Sequence, residues 1–426
     1  MNFDHQENKL DSGLRVVTVP MAVPTVAVLM MVAVGSRYED PKVAGISHFL
    51  EHMVFKGTKK YPTALDIASA VDAVGAEFNA FASKEYTGFY VKAASKDIEV
   101  GLDVLSQFMQ APMLRSEDLE REKGVIVEEI NMYEDNPARR VGDLFDQLMF
   151  KGHELGWDVI GTKETVTALK REDFVAHMQS WYTSGNMVLG VAGDAAKIQD
   201  SRFKIQEYFG NKRINTQTAR EIDKFTKTQT EARVKVHYKK TEQAHFGLGA
   251  HSLPRNHPDR YVQAVLATIL GGNMSSRLFT EVREKRGLAY YVRTSVDSFA
   301  ETGHLASFAG VTINKIEDAI TAILEQYQKI SKVGNVTAEE LIKAKDYLKG
   351  KLLIELEDSL QVALEYTDSW LLEGRVRTPE EAVAGVEAVT LEDISRLATE
   401  ILQQQRLNLV VLGPYKDSKK FEKLLS

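Results

Sequence analysis

The chain has 426 residues, 44% hydrophobic and 27% charged, with a formal net charge of −7 and no cysteine. This length calls for two or more domains, and the acidic balance argues against nucleic acid as a partner, because phosphate binding needs a concentrated basic surface. Without cysteine there are no disulfides, thiolate ligands or cysteine nucleophiles, so any metal must be held by His, Asp, Glu or backbone oxygen.

The first residues, MNFDHQENKLDSGLRVV, are polar. They carry neither a secretory core nor an Arg-rich transit pattern. GLRVVTVP and TVAVLMMVAVG read as buried strands, the second far too short to cross a bilayer. A cytoplasmic, reducing setting with no membrane partner is therefore expected. Helical spacing predicts helices over 45–55 and 63–74, the latter just after Pro62. EFNAFASKEYTGFYVKA reads as two strands joined at Ser83, Lys84 and Glu85. Further helices are predicted over 97–109 and 116–133, the second opening on Ser and two acids and closing near Asn136 and Pro137. NMVLGVAG returns to a strand.

Residues 211–232 are polar and poor in apolar side chains. They divide the chain into an N-terminal domain (1–212), a linker (213–232) and a C-terminal domain (233–426). The second part repeats the first in outline. HFGLGAHSL stands where TVAVLMMVAVG stood, and YVQAVLATILGG where GISHFLEHMVFKG stood. Two strand-like stretches and a helix over 314–327 follow. A period of half the chain implies a duplicated α+β domain rather than a solenoid.

The first copy alone contains HFLEH, residues 48–52. On a helix, His48 and His52 share one face, and Glu51 lies three residues from His48 on the same side. Zinc-dependent hydrolysis needs this set: two neutral nitrogens on the metal and a carboxylate to take a proton from water. A third ligand is sought in SEDLEREKGVIVEEINMYED. Read as a helix, it places Glu122, Val125, Ile126, Glu129, Met132 and Tyr133 on one face. Glu128 falls on the solvated side. Glu122 and Glu129 are expected on the buried side, where a carboxylate is costly unless paired or metal-bound. Glu129 is the candidate third ligand, and Glu122 the candidate orienting partner of a ligand histidine. Pairing of both with basic groups remains the alternative.

HFLEH, with Glu129 77 residues after His52 in EKGVIVEEINMYED, resembles the M16 metallopeptidases, the family of mitochondrial processing peptidase, pitrilysin and insulin-degrading enzyme. The likeness runs nearly end to end, through GLRVV, GSRYED, GAEFNAFASKEYT, WYTSGNMVLGVAGD and SSRLFTEVREKRGLAYYV. The chain length matches the short, two-domain bacterial branch. The resemblance implies two repeated α/β-sandwich domains of the LuxS and processing-peptidase type, each a mostly antiparallel sheet packed by helices. It implies one Zn²⁺ per chain on His48, His52 and Glu129, with Glu51 as general base and Glu122 supporting the metal. Asn79, Ala80 and Phe81 would lie on a strand whose edge pairs with an extended peptide. Arg283 and Tyr290 would hold the substrate backbone and help complete the site. A homodimeric chamber follows, each site completed by the partner's Arg283 and Tyr290, with a heterodimer with a related chain as the variant. The alternative is a non-catalytic M16-like subunit of a heteromeric complex.

Overall fold

The computed structural model describes residues 3–210, 224–226 and 229–426. Most of the expected linker, 213–223 and 227–228, lies outside the described residues. The chain forms a six-stranded and a five-stranded sheet. The first holds β1 (Gln6–Lys9), β2 (Arg15–Met21), β3 (Thr25–Val32), β4 (Glu77–Ala82), β5 (Thr87–Ala94) and β6 (Met187–Asp194). The second holds β7 (Arg233–Tyr238), β8 (Gln243–Ser252), β9 (Ala289–Ser298), β10 (Gly303–Thr312) and β11 (Asn408–Gly413).

Duplication is written into the topology. The first sheet runs β1-β2-β6-β3-β5-β4 and the second β7-β11-β8-β10-β9. Once β1 is set aside, the two orders correspond strand for strand. Each contains one parallel pair, β2 with β6 and β7 with β11, and is otherwise antiparallel. In each copy the helix after the central hairpin, Ile98–Gln110 or Ile316–Ile330, follows a short 3₁₀ turn. The α+β class and the repeat expected from the sequence are both present.

The N-terminal helices are α1 (Ile46–Val54), α2 (Ala64–Asp72), α3 (Ile98–Gln110), α4 (Ser116–Glu134) and α5 (Pro137–Met149). Thr63 caps α2 reciprocally with Asp66. α4 ends at Glu134, close to Asn136 and Pro137 as expected, and the same two residues then open α5: the Asn136 side chain accepts from the Arg139 amide and Pro137 fills the first turn. The buried stripe of α4 also differs from the expected face. It consists of Leu119, Glu122, Ile126 and Ile130, with Asp118 at its start. Val125 and Met132 are 52% and 58% exposed. A 3-4-4 spacing through Ile130 follows the helical period better than the cluster through Met132 does, and it moves the buried face by part of a turn.

Two compact units emerge, one from 1–131, 157–222 and 352–380, the other from 132–156, 223–351 and 381–426. Relative to the two contiguous sequence halves, two helices change sides. In the second unit, α5 buries Val141, Leu144, Phe145 and Leu148 against Phe308, Val410 and Leu412 of the five-stranded sheet. In the first, the helix Ser359–Glu373 buries Val362, Ala363 and Tyr366 against Val17, Val19, Leu29 and Val188. That helix lies so close to β6 that a Cβ on Gly190 would stand 2.0 Å from Thr367 Oγ1, which is why the strand carries glycine there. Among the described residues no helix is long and apolar enough to cross a membrane.

The first unit also buries a histidine whose charged form is disfavoured by burial. His177, on the helix Arg171–Trp181, is 7% exposed, and its Nε2 has no hydrogen-bond partner. Burial pushes its pKa down to about 4. Its neutral form therefore stabilises the fold fully above about pH 6.5, and that contribution is lost as pH falls towards 4. Full loss amounts to about 3 kcal/mol. The melting temperature of wild type should drop across pH 6.5 to 4, and the slope should flatten in His177→Gln. Identical slopes in the two proteins would refute this assignment.

Candidate active site

Helix α1 sets the site. Phe49, Leu50, Met53 and Val54 are fully buried, and Phe49 meets Phe174 edge-on with ring centroids 5.0 Å apart. This anchored face leaves His48, Glu51 and His52 on the partly accessible side. The helix begins at Gly45, which has no side chain to cap it. Glu39 supplies the cap from outside: its two carboxylate oxygens accept from the Gly45 amide at 2.6 Å and the Ser47 amide at 2.7 Å. Burial pushes the Glu39 pKa up to about 7, against the pull of these amides. The only trace of this cap in the sequence is an acid shortly before a glycine-led helix.

Helix α4 brings the third group. Nε2 of His48 and Nε2 of His52 stand 3.6 and 3.5 Å from Oε2 of Glu129. The imidazole centroids are 4.7 Å apart. One ligand atom from each of the three residues lies within 4.8 Å of the others, and among the described residues no other such group of three occurs. Tetrahedral zinc with bonds of about 2.0–2.1 Å separates its ligand atoms by roughly 3.3 Å. The His–Glu spacings are close to that value, and all three donors are types zinc accepts. The residues fit the metal.

Glu122, two turns before Glu129 on α4, is 5% exposed. Its Oε1 lies 2.9 Å from His52 Nδ1, and its Oε2 accepts from Lys56 Nζ at 2.6 Å. Burial acts to raise its pKa, but the His52 and Lys56 hydrogen bonds outweigh it and hold the carboxyl below its ordinary range. Accepting from Nδ1–H leaves Nε2 of His52 with its lone pair towards Glu129. The basic partner that the sequence left open for Glu122 is thus Lys56, acting together with His52. Glu51 is affected in the opposite direction: burial pushes its pKa up, while His48 and His52 pull it back. A raised carboxylate pKa is the direction that proton exchange requires.

The remaining expected residues fall into two places. Asn79, Ala80 and Phe81 lie on β4, which pairs only with β5 and so forms a sheet edge beside α1. Asn79 is exposed, and the Phe81 ring lies over Gly88, its register partner. Arg283 and Tyr290 belong to the second unit. Arg283 sits on the helical turn Phe279–Lys285 with its guanidinium over the Phe279 ring, 4.6 Å from the centroid. Tyr290 is 55% exposed. Opposite β9, Gly310 pairs with Tyr291 and Val311 with Ala289, so Tyr290 is the extra residue of a bulge. Bulges re-aim a side chain out of the strand's regular alternation. Sequence reading had no signal for this, because a bulge is a property of two strands in register.

The family description "Insulinase (Peptidase family M16)" matches residues 15–163, and "Peptidase M16 inactive domain" matches residues 168–348. The chain belongs to peptidase family M16. Among its relatives, the uncharacterized zinc protease YmxG of Bacillus subtilis is 36% identical over 384 residues, 90% of this chain and 91% of that protein. An uncharacterized zinc protease of Streptomyces coelicolor is 35% identical over 412 residues, 96% of this chain and 89% of that protein. The fold of this M16 chain is similar to a protease from Helicobacter pylori, with a TM-score of 0.91, 23% identity and coverage of 97% and 100%. It is also similar to a putative M16-like peptidase from Alicyclobacillus acidocaldarius, with a TM-score of 0.83, 21% identity and coverage of 97% and 99%. The stretch matched by the inactive-domain description contains no HxxEH.

Proposed function

We propose that this M16 protein is a zinc-dependent endopeptidase that hydrolyses unfolded peptides or presequences. The observation that carries the proposal is the convergence of His48, His52 and Glu129 to metal-ligand spacing, with Glu51 on the same helix face. His48, His52 and Glu129 hold the ion, one per chain. Zinc bound there supplies a Lewis acid that lowers the pKa of water towards about 7 and polarises a carbonyl. Glu51 takes the proton from the attacking water and passes it to the leaving amine. Glu122 orients His52. The free edge of β4 at Asn79, Ala80 and Phe81 pairs with an extended substrate, so backbone contacts rather than side-chain identity determine what binds.

Arg283 and Tyr290 hold the substrate backbone, and the active form is a homodimer in which each site receives these residues from the partner. Support comes from both the HxxEH set and the Arg/Tyr pair being intact in one chain. Gel filtration should give twice the chain mass. Full activity at the mass of a single chain would refute the dimer.

The enzyme proposal is tested with the purified chain and a quenched fluorescent peptide. Chelation should abolish cleavage, and zinc add-back should restore it. Cleavage indifferent to chelator refutes the metal's role. No cleavage by zinc-loaded homodimer across a broad peptide library favours a non-catalytic subunit instead.

A further inference from the structure

HFLEHMVFKGT continues past the two histidines, and the proposed function assigns no role to the part of this stretch after His52. The continuation is nevertheless built into the site. Helix α1 ends at Val54, and the chain turns with the Phe55 amide donating to His52 O and the Lys56 amide to Met53 O. The turn is then fastened to the segment that leads into α4. The Met113 amide donates to Gly57 O at 2.9 Å, the Lys59 amide to Ala111 O at 2.9 Å, and Thr58 bridges to Pro112. Gly57 has φ +147 and passes so close to the following turn that a Cβ there would lie 2.4 Å from Pro62 O. Only glycine fits both conditions.

This fastening delivers Lys56 to Glu122. Lys56 Nζ is 2.6 Å from Glu122 Oε2, while Glu122 Oε1 is 2.9 Å from His52 Nδ1. Both oxygens of one buried carboxylate are therefore committed, one to each end of the same short stretch of chain. A carboxylate with a single hydrogen-bonded oxygen can pivot about its terminal torsion, which is broad and roughly two-fold. With an ammonium on the other oxygen it cannot pivot without breaking a charge-assisted bond. The two histidines are unequal in this respect: His48 Nδ1 is buried without a hydrogen-bond partner.

We propose that Lys56 is a positioning residue for the metal site. Through Glu122 it fixes the ring of His52, and with it the spacing of the three ligands. This rests on His48, His52 and Glu129 holding zinc. Outer partners of metal ligands typically change affinity by about 10–100-fold when removed.

The test measures zinc affinity directly, by competition with a chromophoric chelator, on the full-length wild type and three variants. Lys56→Met removes the donor at similar length. Lys56→Gln keeps a polar group but loses reach and charge. Lys56→Arg keeps a charged donor. Lys56 is about one-third exposed, and thermal melts of all four proteins identify any loss of fold. K56M and K56Q should bind zinc about tenfold or more weakly than wild type, and K56R should recover most of the loss. Wild-type affinity in K56M or K56Q overturns the proposal. So does a loss in K56R as large as that in K56M, because a charged donor then makes no difference. Failure of wild type itself to bind zinc instead overturns the metal assignment, and this proposal with it.

Discussion

Glu51→Gln should retain zinc at wild-type stoichiometry and lose peptide hydrolysis by about 10²–10⁴-fold. Glutamine has nearly the same shape and cannot accept a proton at neutral pH. Glu51 is not part of the His48, His52 and Glu129 cluster, so the substitution leaves the ligand set intact. The fall should be in kcat more than in KM, because proton transfer belongs to the transition state rather than to binding. Metal analysis and kinetics on the same preparation decide the matter. Normal turnover would remove Glu51 from the mechanism. Loss of zinc together with turnover would make it a ligand rather than a base.

The second large effect is on stability. Arg37 and Glu85 form an ion pair at 2.5 Å with side chains only 1% and 3% exposed. The pair ties the turn Ser36–Tyr38 to the β4–β5 connection, where the Arg37 amide also donates to Lys84 O at 3.0 Å. Two residues further on, Glu39 caps α1. Arg37→Ala leaves a carboxylate buried without that partner and should cost roughly 3–5 kcal/mol, read as a lower urea midpoint. Replacing both residues with apolar ones, as in Arg37→Met with Glu85→Leu, should recover most of the loss, since the pair's own net contribution is small beside the cost of breaking it. A single variant as stable as wild type would show that the pair is not structurally important.

These two residues also show how much the sequence could say. GSRYED and SKEYT stand out as stretches, but their meeting as one buried pair is a tertiary fact with no periodic trace. His48, Glu51 and His52 are legible because a single helical turn brings them together, and Glu129 because helix amphipathicity makes a carboxylate near an apolar stripe conspicuous. Even there the apolar pattern misleads: Val125 and Met132 are apolar yet exposed, and only packing decides which apolar residues of α4 face inward. Lys56 is near the site in sequence, but its partner is 66 positions away on another helix. The repeat was visible in outline because strand and helix types recur in order. The exchange of α5 and of the helix Ser359–Glu373 was not, because an apolar helix face does not specify which of two similar sheets it will cover.

That exchange has a consequence for cutting the chain. A break in the segment 213–223 yields two fragments, and each holds a sheet whose covering helix is on the other fragment. Each fragment would lack the helix that covers one face of its own sheet. Each expressed by itself should expose the apolar residues that helix covers, and co-expression should raise the soluble yield of both, as read by fractionation of the lysate. The duplicated domain is therefore not a modular one in sequence: the two copies can be counted separately, but each sheet takes a covering helix from the other half of the chain.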